Sequence, residues 1–169
     1  NEQALRLAVK RLAENVKQPT AYNRLANMVK STGVSTNTAS IIDYIRLTKE
    51  ACLIFSIDNY ASKFVEKETV KKHYFTDNGL LSIFLTNQDT SLLENLCAIA
   101  LYKKYASDDE PRLYYYNKNV EVDFYIPEEE MAIQASYTLC DEETRKREVG
   151  ALVALHKLHQ LKKAVIVTY

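Results

Sequence analysis

The sequence predicts an α+β protein in which a helical N-terminal part precedes a mixed sheet flanked by helices. Apolar residues recur at helical spacing through most of the first 50 residues, whereas short alternating runs dominate from residue 113 onward. One long helical pattern interrupts those runs near the end of the chain. Only three glycines and three prolines punctuate the 169 residues, which is typical of compact packing with short loops.

The first 75 residues are predicted to form three helices and a hairpin. The helical patterns cover 2–16, 21–30 and 36–50, and Ser35 is the expected cap of the third after a tight turn at Gly33. A β run at 53–57 and its partner at 73–76 complete the unit. Helix, glycine turn, helix and hairpin in this order form the outline of a winged helix, so we predict one over 1–75.

The remaining residues are predicted to follow the order αβββαβ. A capping-box pattern, Ser91-x-x-Glu94, precedes a helix at 92–105, and Asp141 caps a helix at 142–160. Strands are expected at 113–116, 120–126, 131–138 and 164–169. Because the first helix starts almost at residue 1 and the last strand reaches residue 169, we expect the natural chain to continue at both ends.

Four stretches in this order carry a resemblance: KHYFTDNGLL, SLLENLCAIALYKKY, LYYYNKNVEVDFYI and AIQASYTL. They resemble the uncharacterised C-terminal domain attached to a family of bacterial and archaeal AAA-type ATPases. In that family a winged helix lies between the ATPase and a fold similar to restriction endonucleases. The resemblance therefore implies a winged-helix domain over 1–75 and a restriction-endonuclease-like domain over 76–169, truncated at its C-terminus.

The same resemblance implies an upstream ATPase domain as a partner, with ATP and Mg²⁺ as cofactors of the parent protein. This chain has no G-x-x-x-x-G-K-[ST] motif, since Gly33, Gly79 and Gly150 stand singly. A phosphate cradle needs several consecutive backbone amides exposed by glycines. We therefore expect no cofactor in this part of the protein, and no ATP hydrolysis by it alone.

Restriction-type nucleases hold Mg²⁺ with an acid on the first core helix, an acid on the second strand and the Glu of a Glu-x-Lys pair. By resemblance these positions correspond to Glu94, Asp123, Gln134 and Ser136. Gln in place of Glu removes a negative ligand, and Ser in place of Lys removes the cation expected at the phosphate. We therefore predict a degenerate core with no catalytic residue and no metal, in which Glu94 and Asp123 are the remaining metal candidates. The alternative is a metal-dependent nuclease that acts with the ATPase.

Each of these residues also has a structural interpretation. Glu94 lies three residues after Ser91, where a capping box places a Glu that bonds the Ser91 amide. Asp123 shares one strand face with Glu121 and fits the polar side of a half-exposed strand. Gln134 and Ser136 fit local hydrogen bonding rather than contact with a substrate.

Charge is unevenly distributed along the chain. The first 75 residues hold 12 Lys or Arg against 7 Asp or Glu, and the remainder holds 10 against 15. The basic part is the candidate for contacting DNA phosphates, and the second helix of a helix-turn-helix reads DNA through its early exposed residues. The predicted DNA-binding residues are Lys30, Ser35, Thr36, Asn37, Thr38, Arg46 and Lys49. The alternative is that the same unit docks a protein, and a homo-oligomer is a further option.

A second basic strip is predicted after the first hairpin strand, formed by Lys63, Lys67, Lys71 and Lys72. The three consecutive tyrosines Tyr114 to Tyr116 alternate between strand faces, so they predict packing rather than a base-stacking platform. His156 and His159 fit the C-terminal end of a helix, where imidazolium favours the dipole.

The three cysteines, Cys52, Cys97 and Cys140, are far apart and lie in or beside apolar runs, which predicts buried free thiols rather than disulfides or zinc ligands. No run approaches the ~18 to 20 apolar residues that span a bilayer, and the N-terminus lacks a signal-peptide pattern. We therefore expect a cytoplasmic protein without a membrane partner.

Overall fold

The computed structural model describes residues 1–85, 89–106 and 111–169, in which seven helices and a seven-stranded mixed sheet form an α+β fold. The helices are α1 (Glu2–Glu14), α2 (Tyr22–Lys30), α3 (Thr38–Glu50), α4 (Phe64–Thr69), α5 (Asn78–Ser82), α6 (Asp89–Tyr105) and α7 (Glu142–His159). The strands are β1 (Thr20–Ala21), β2 (Ile54–Asn59), β3 (Val70–Phe75), β4 (Tyr114–Asn117), β5 (Glu121–Ile126), β6 (Met131–Ala135) and β7 (Lys163–Val167).

Helices α1 to α3 pack on one another through buried apolar faces, as the helical spacing predicts. Asn1 caps α1 by accepting a hydrogen bond from the Ala4 amide. Gly33 adopts a φ of 85° in the turn between α2 and α3, a conformation that glycine tolerates well. The prediction that Ser35 caps α3 is wrong, because Asn37 is the cap and accepts from the Ser40 amide at 2.8 Å.

The hairpin of β2 and β3 is antiparallel, and the short strand β1, which the sequence did not reveal, pairs with the outer side of β3. On its other side β2 pairs in parallel with β4. The side chain of Asn59 strengthens this junction, since its amide group donates to the Asn117 carbonyl at 2.6 Å and accepts from the Asn117 amide at 3.0 Å. The strand order is β1-β3-β2-β4-β5-β6-β7, so one sheet continues across the boundary predicted after residue 75.

The second half follows the predicted order αβββαβ with the additional short helix α5 before α6. Strands β4, β5 and β6 form an antiparallel meander, and β7 returns through α7 to pair in parallel with β6. Asp141 caps α7 as predicted, by accepting from the Thr144 amide at 2.7 Å. Ser91 lies inside α6 rather than before it, so the capping box predicted for Ser91 and Glu94 is not formed.

Two apolar clusters hold the fold together. The larger one joins α1, α2 and α3 to β2, β3, β5 and α6, with Tyr74, Phe75 and Phe124 fully buried between them. The smaller cluster lies under α7, where Leu152 and Leu155 contact the sheet. Burial of this kind contributes roughly 25 cal/mol per Å² of apolar surface. No helix within the described ranges is both long enough and apolar enough to cross a bilayer.

Candidate functional site

A buried lysine lies at the centre of the candidate site. The side chain of Lys72, on β3, has 0% of its surface exposed, and its Nζ lies 3.2 Å from Glu94 Oε1 on α6 and 3.2 Å from Asp123 Oδ1 on β5. The more exposed carboxylate of Glu121 is 3.9 Å away. The structure therefore brings together Glu94 and Asp123, the two acids that sequence reasoning paired, and adds a cation between them.

Both carboxylates have further hydrogen-bond partners. The hydroxyl of Tyr74, two residues after Lys72 on the same strand face, donates to Glu94 Oε1 at 2.8 Å. The second oxygen of Asp123 accepts from the Ala135 amide at 3.0 Å. Charge-assisted hydrogen bonds of this kind fix the carboxylates in place. We call Lys72, Tyr74, Glu94 and Asp123 the lysine cluster.

Gln134 and Ser136, which replace the Glu and Lys of an active nuclease pattern, form local hydrogen bonds. Gln134 Oε1 accepts from the Asp123 amide at 2.8 Å, and its Nε2 donates to the Glu121 carbonyl at 3.3 Å. The hydroxyl of Ser136 donates to the Thr138 carbonyl at 3.1 Å. Both side chains are buried and engage the protein's own backbone.

The electrostatics of the cluster reflect one ammonium shared by several carboxylates. Burial by itself lowers the pKa of Lys72, but attraction by Glu94, Asp123 and Glu121 outweighs burial and holds that pKa above its ordinary value. Burial raises the pKa of Glu94 to about 7, against the opposing effect of Lys72. Burial, followed by the negative charge of Glu94, also raises the pKa of Tyr74. Lys72 thus stays charged at neutral pH, held in that form by the surrounding carboxylates.

A polar cleft of about 560 Å³ opens over the cluster. Its walls come from the loop after α1, the β4–β5 hairpin, β6 and α7, and include Lys17, Asn119, Glu121, Asp123, Gln134, Arg147, Glu148 and Gly150. Arg147 is bound to its neighbour Glu148 at 2.7 Å. Among residues 1–85, 89–106 and 111–169, no group of three or more His, Cys, Asp or Glu side chains is arranged to hold a metal ion.

The predicted DNA-binding residues lie on and before α3. Lys30, Ser35, Asn37, Thr38, Arg46 and Lys49 are exposed and Thr36 is half-buried. The guanidinium group of Arg46 forms ion pairs with Glu50 at 2.8 Å and with Asp43 at 3.8 Å. Although the Lys49 residue as a whole is exposed, partial burial of its amine, and then the nearby Lys71, lowers the pKa of Lys49.

The prediction of a basic strip from Lys63 to Lys72 is wrong in its last member, because Lys72 is fully buried in the lysine cluster. Lys71 is also engaged, 2.7 Å from Asp58. Lys72 shares a strand face with Tyr74 and Lys71 shares the opposite face with His73, but both of these neighbours are buried, so alternation along β3 does not distinguish the two lysines.

Sequence reasoning missed Asn95, the neighbour of Glu94. Its Oδ1 accepts from the Phe75 amide at 2.8 Å, and its Nδ2 donates to the Phe75 carbonyl at 3.0 Å and to Asn78 Oδ1 at 2.8 Å. The Asn95 side chain thus pairs with both backbone groups of Phe75, as a neighbouring strand would do at the end of β3. Glu94 and Asn95 together attach α6 to the hairpin.

The remaining titratable candidates do not join the site. His73 is buried, its Nδ1 lies 2.8 Å from the Ser56 hydroxyl, and burial lowers its pKa to about 3. His159, at the end of α7, contacts the rings of Tyr60, Tyr116 and Tyr125.

The cysteines are free, but the prediction that all are buried is wrong. Cys52 and Cys140 are exposed and Cys97 is half-buried. Cys52 follows the end of α3, and Cys140 precedes the Asp141 cap of α7, so both lie in connections rather than inside the apolar runs.

The chain was compared with protein families, solved structures and curated proteins. No family model matches the chain, and no solved structure matches it. The chain is 28% identical over 132 residues to Uncharacterized protein MJ1544 of Methanocaldococcus jannaschii. That similarity covers 78% of this chain and 30% of the relative, so the chain spans about 30% of the length of the protein it matches.

Proposed function

We propose that this chain is a noncatalytic module of an AAA-type ATPase, whose N-terminal helical unit binds DNA or a protein partner and whose nuclease-like part has a scaffolding role. The observation that carries the noncatalytic part is the position of Lys72 Nζ, 3.2 Å from both Glu94 and Asp123. Its ammonium group stands between the carboxylates that would hold a metal ion. A divalent cation there would have to displace a buried lysine that the same carboxylates hold in its charged form.

The order of elements in the first half supports the binding part. Three helices, with β1 after the first and the hairpin of β2 and β3 after the third, follow the arrangement expected of a winged helix. The DNA-binding residues expected from the sequence are mainly exposed on α3 and the turn before it. The sequence resemblance is the support for an AAA-type ATPase as the parent protein.

Incubation of the full-length protein with supercoiled plasmid and Mg²⁺ or Mn²⁺ tests the noncatalytic assignment. We expect no nicking above that of an Asp123→Ala variant, because the Lys72 ammonium group occupies the space between the two carboxylates and Gln134 adds no negative ligand. Cleavage by the wild-type protein that disappears in Asp123→Ala would contradict the proposal. An Asp58→Ala variant, which removes an acid bound to Lys71 outside the cleft, is the control for nonspecific effects of losing a carboxylate.

The second candidate function is a metal-dependent nuclease, and one observation favours it. An active nuclease pattern has a Lys at the position of Ser136. Here Lys72, which lies on β3, places a cation beside the carboxylates and below the polar cleft. In this case Lys72 would offset charge that develops on a scissile phosphate. In the plasmid assay, the Lys72→Met variant and the Asp123→Ala variant should then each lose cleavage.

DNA affinity measured against salt concentration tests the other half of the proposal. If α3 contacts DNA, the intact protein binds duplex at about 50 mM salt, and its affinity falls steeply as salt rises. Replacing Lys30 and Lys49 by Ala reduces the slope by about one unit for each phosphate that these lysines neutralise, with Lys157, exposed on α7, as the matched control. If the protein does not bind duplex at low salt, DNA is excluded as the partner and a protein partner is the remaining option.

A further inference from the structure

The surface of α3 combines exposed apolar side chains with an arginine that is already paired. Ile42 and Leu47 are 45% and 46% exposed. Arg46, which lies between them, contacts Asp43 and Glu50. The carboxamide oxygen of Asn37 caps the helix. A helix that reads DNA needs free donors and cations along its exposed face, whereas these positions of α3 present apolar surface and an arginine bound to carboxylates.

An apolar groove of about 890 Å³ lies beside this surface, between α1 and α3. Its floor and walls include Leu5 and Val9 from α1, Leu47 from α3, Leu53 and Phe84. Exposed apolar side chains gathered in one groove are a candidate interaction site. Its position between two helices suits an amphipathic helix that inserts residues spaced three and four apart.

The charges along the groove indicate which helix would fit. Its lining contains two cationic side chains, Arg6 and Lys10, and no carboxylate. Arg6 also contacts Glu2 at 2.7 Å, but both side chains are more than three-quarters exposed, so the pair is weak and screened by water. Acidic residues flanking the apolar face of a partner helix would therefore meet complementary charge.

We infer that the groove between α1 and α3 binds a protein partner through an amphipathic helix whose apolar face is flanked by Asp or Glu. This inference rests on the proposed function in taking the chain as a binding module, and it identifies the partner class as protein. Leu47 contacts the apolar face of that helix. Arg6 and Lys10 contact its acidic flank.

A pair of labelled peptides tests the inference on the intact chain. Both form an amphipathic helix of about five turns with the same leucines, and one carries Glu and the other Lys at the flanking positions. Fluorescence anisotropy should show the Glu peptide binding at least about tenfold more tightly than the Lys peptide. Leu47→Asp abolishes this binding, and the charge reversal Arg6→Glu with Lys10→Glu reverses the preference between the peptides.

Val153→Asp is the matched control, because Val153 on α7 is 48% exposed and lies outside the groove. Equal binding of both peptides, or binding unchanged in Leu47→Asp, overturns the inference. So does a homodimer that Leu47→Asp dissociates in light scattering, since a second copy is then the occupant. Competition by duplex DNA for the peptide site likewise overturns it. Plasmid cleavage that depends on Asp123 overturns the noncatalytic function and leaves the peptide result intact, so the two failures are distinguishable.

Discussion

Replacing Lys72 by Met is expected to destabilise the fold by roughly 3–5 kcal/mol, the usual cost of removing one partner of a buried ion pair. The substitution keeps an unbranched side chain of similar length, so the packing between β3, α6 and β5 is largely retained. It leaves Glu94 and Asp123 without the ammonium group that lies 3.2 Å from each. Two carboxylates with like charge then lie close together below the protein surface, where water screens them poorly.

The pH dependence of this variant should identify the electrostatic cause. The raised pKa of Lys72 makes its contribution complete below its unfolded pKa of about 10.5, and this contribution is lost as pH rises above that value. Without Lys72, the pKa of Glu94, already raised to about 7 by burial, rises further. The folded variant therefore binds protons more tightly than the unfolded chain, and its stability increases as pH falls. The deficit relative to wild type should be largest above pH 7 and smaller near pH 5.

Urea unfolding followed by circular dichroism at these two pH values measures the effect. Lys71→Met is the matched control, because its partner Asp58 and Lys71 itself are partly exposed, and it should cost about 1 kcal/mol or less. Combining Lys72→Met with Glu94→Gln and Asp123→Asn should recover most of the loss, since no buried charge then remains. A deficit that is independent of pH and persists in the combined variant would show that Lys72 acts through packing alone.

Replacing Asn95 by Ala is expected to cost roughly 2–5 kcal/mol, the second largest effect. The carboxamide pairs with both the amide and the carbonyl of Phe75, and a buried backbone group left without a partner costs about 1–3 kcal/mol. The side chain also holds Asn78, whose Nδ2 donates to the Leu92 carbonyl. The start of α6 and the end of β3 should therefore loosen together.

Hydrogen exchange and urea unfolding measure this change. Protection should fall at the Phe75 amide and its neighbours on β3 and remain unchanged at β6, which lies several strands away in the sheet. Asn23→Ala is the control, because Asn23 is exposed and its side chain bonds only the adjacent amide of Arg24. A loss below about 0.5 kcal/mol in Asn95→Ala, equal to that of the control, would contradict the role given to Asn95.

The long elements could be predicted from the sequence because each buries one periodic face. Helices α1, α3 and α7 and strands β5 and β6 lie within a few residues of their predicted positions. The elements that were missed are short. Strand β1 has two residues and is defined by pairing with β3, and α4 and α5 have six and five residues, so none shows a hydrophobic period.

The two acids of the candidate site could be predicted from the sequence, but Lys72 could not. Glu94 and Asp123 were paired by resemblance to a nuclease pattern, and local spacing alone does not bring α6 next to β5. Lys72 was assigned to a solvent-exposed strip because four lysines occur near one another in the sequence. Only the tertiary structure shows that the Lys72 ammonium group lies between those acids, so this lysine is a buried ion-pair partner and not a surface charge.

The parallel pairing of β2 with β4 has a mechanical consequence. Backbone hydrogen bonds, the two bonds between the Asn59 side chain and Asn117, and the lysine cluster all join the helical unit to the meander, so the two parts are connected at several points. We therefore expect a force applied at α3 to move the helical unit and the meander together. A partner bound at the helical end should then move together with the far end of the sheet.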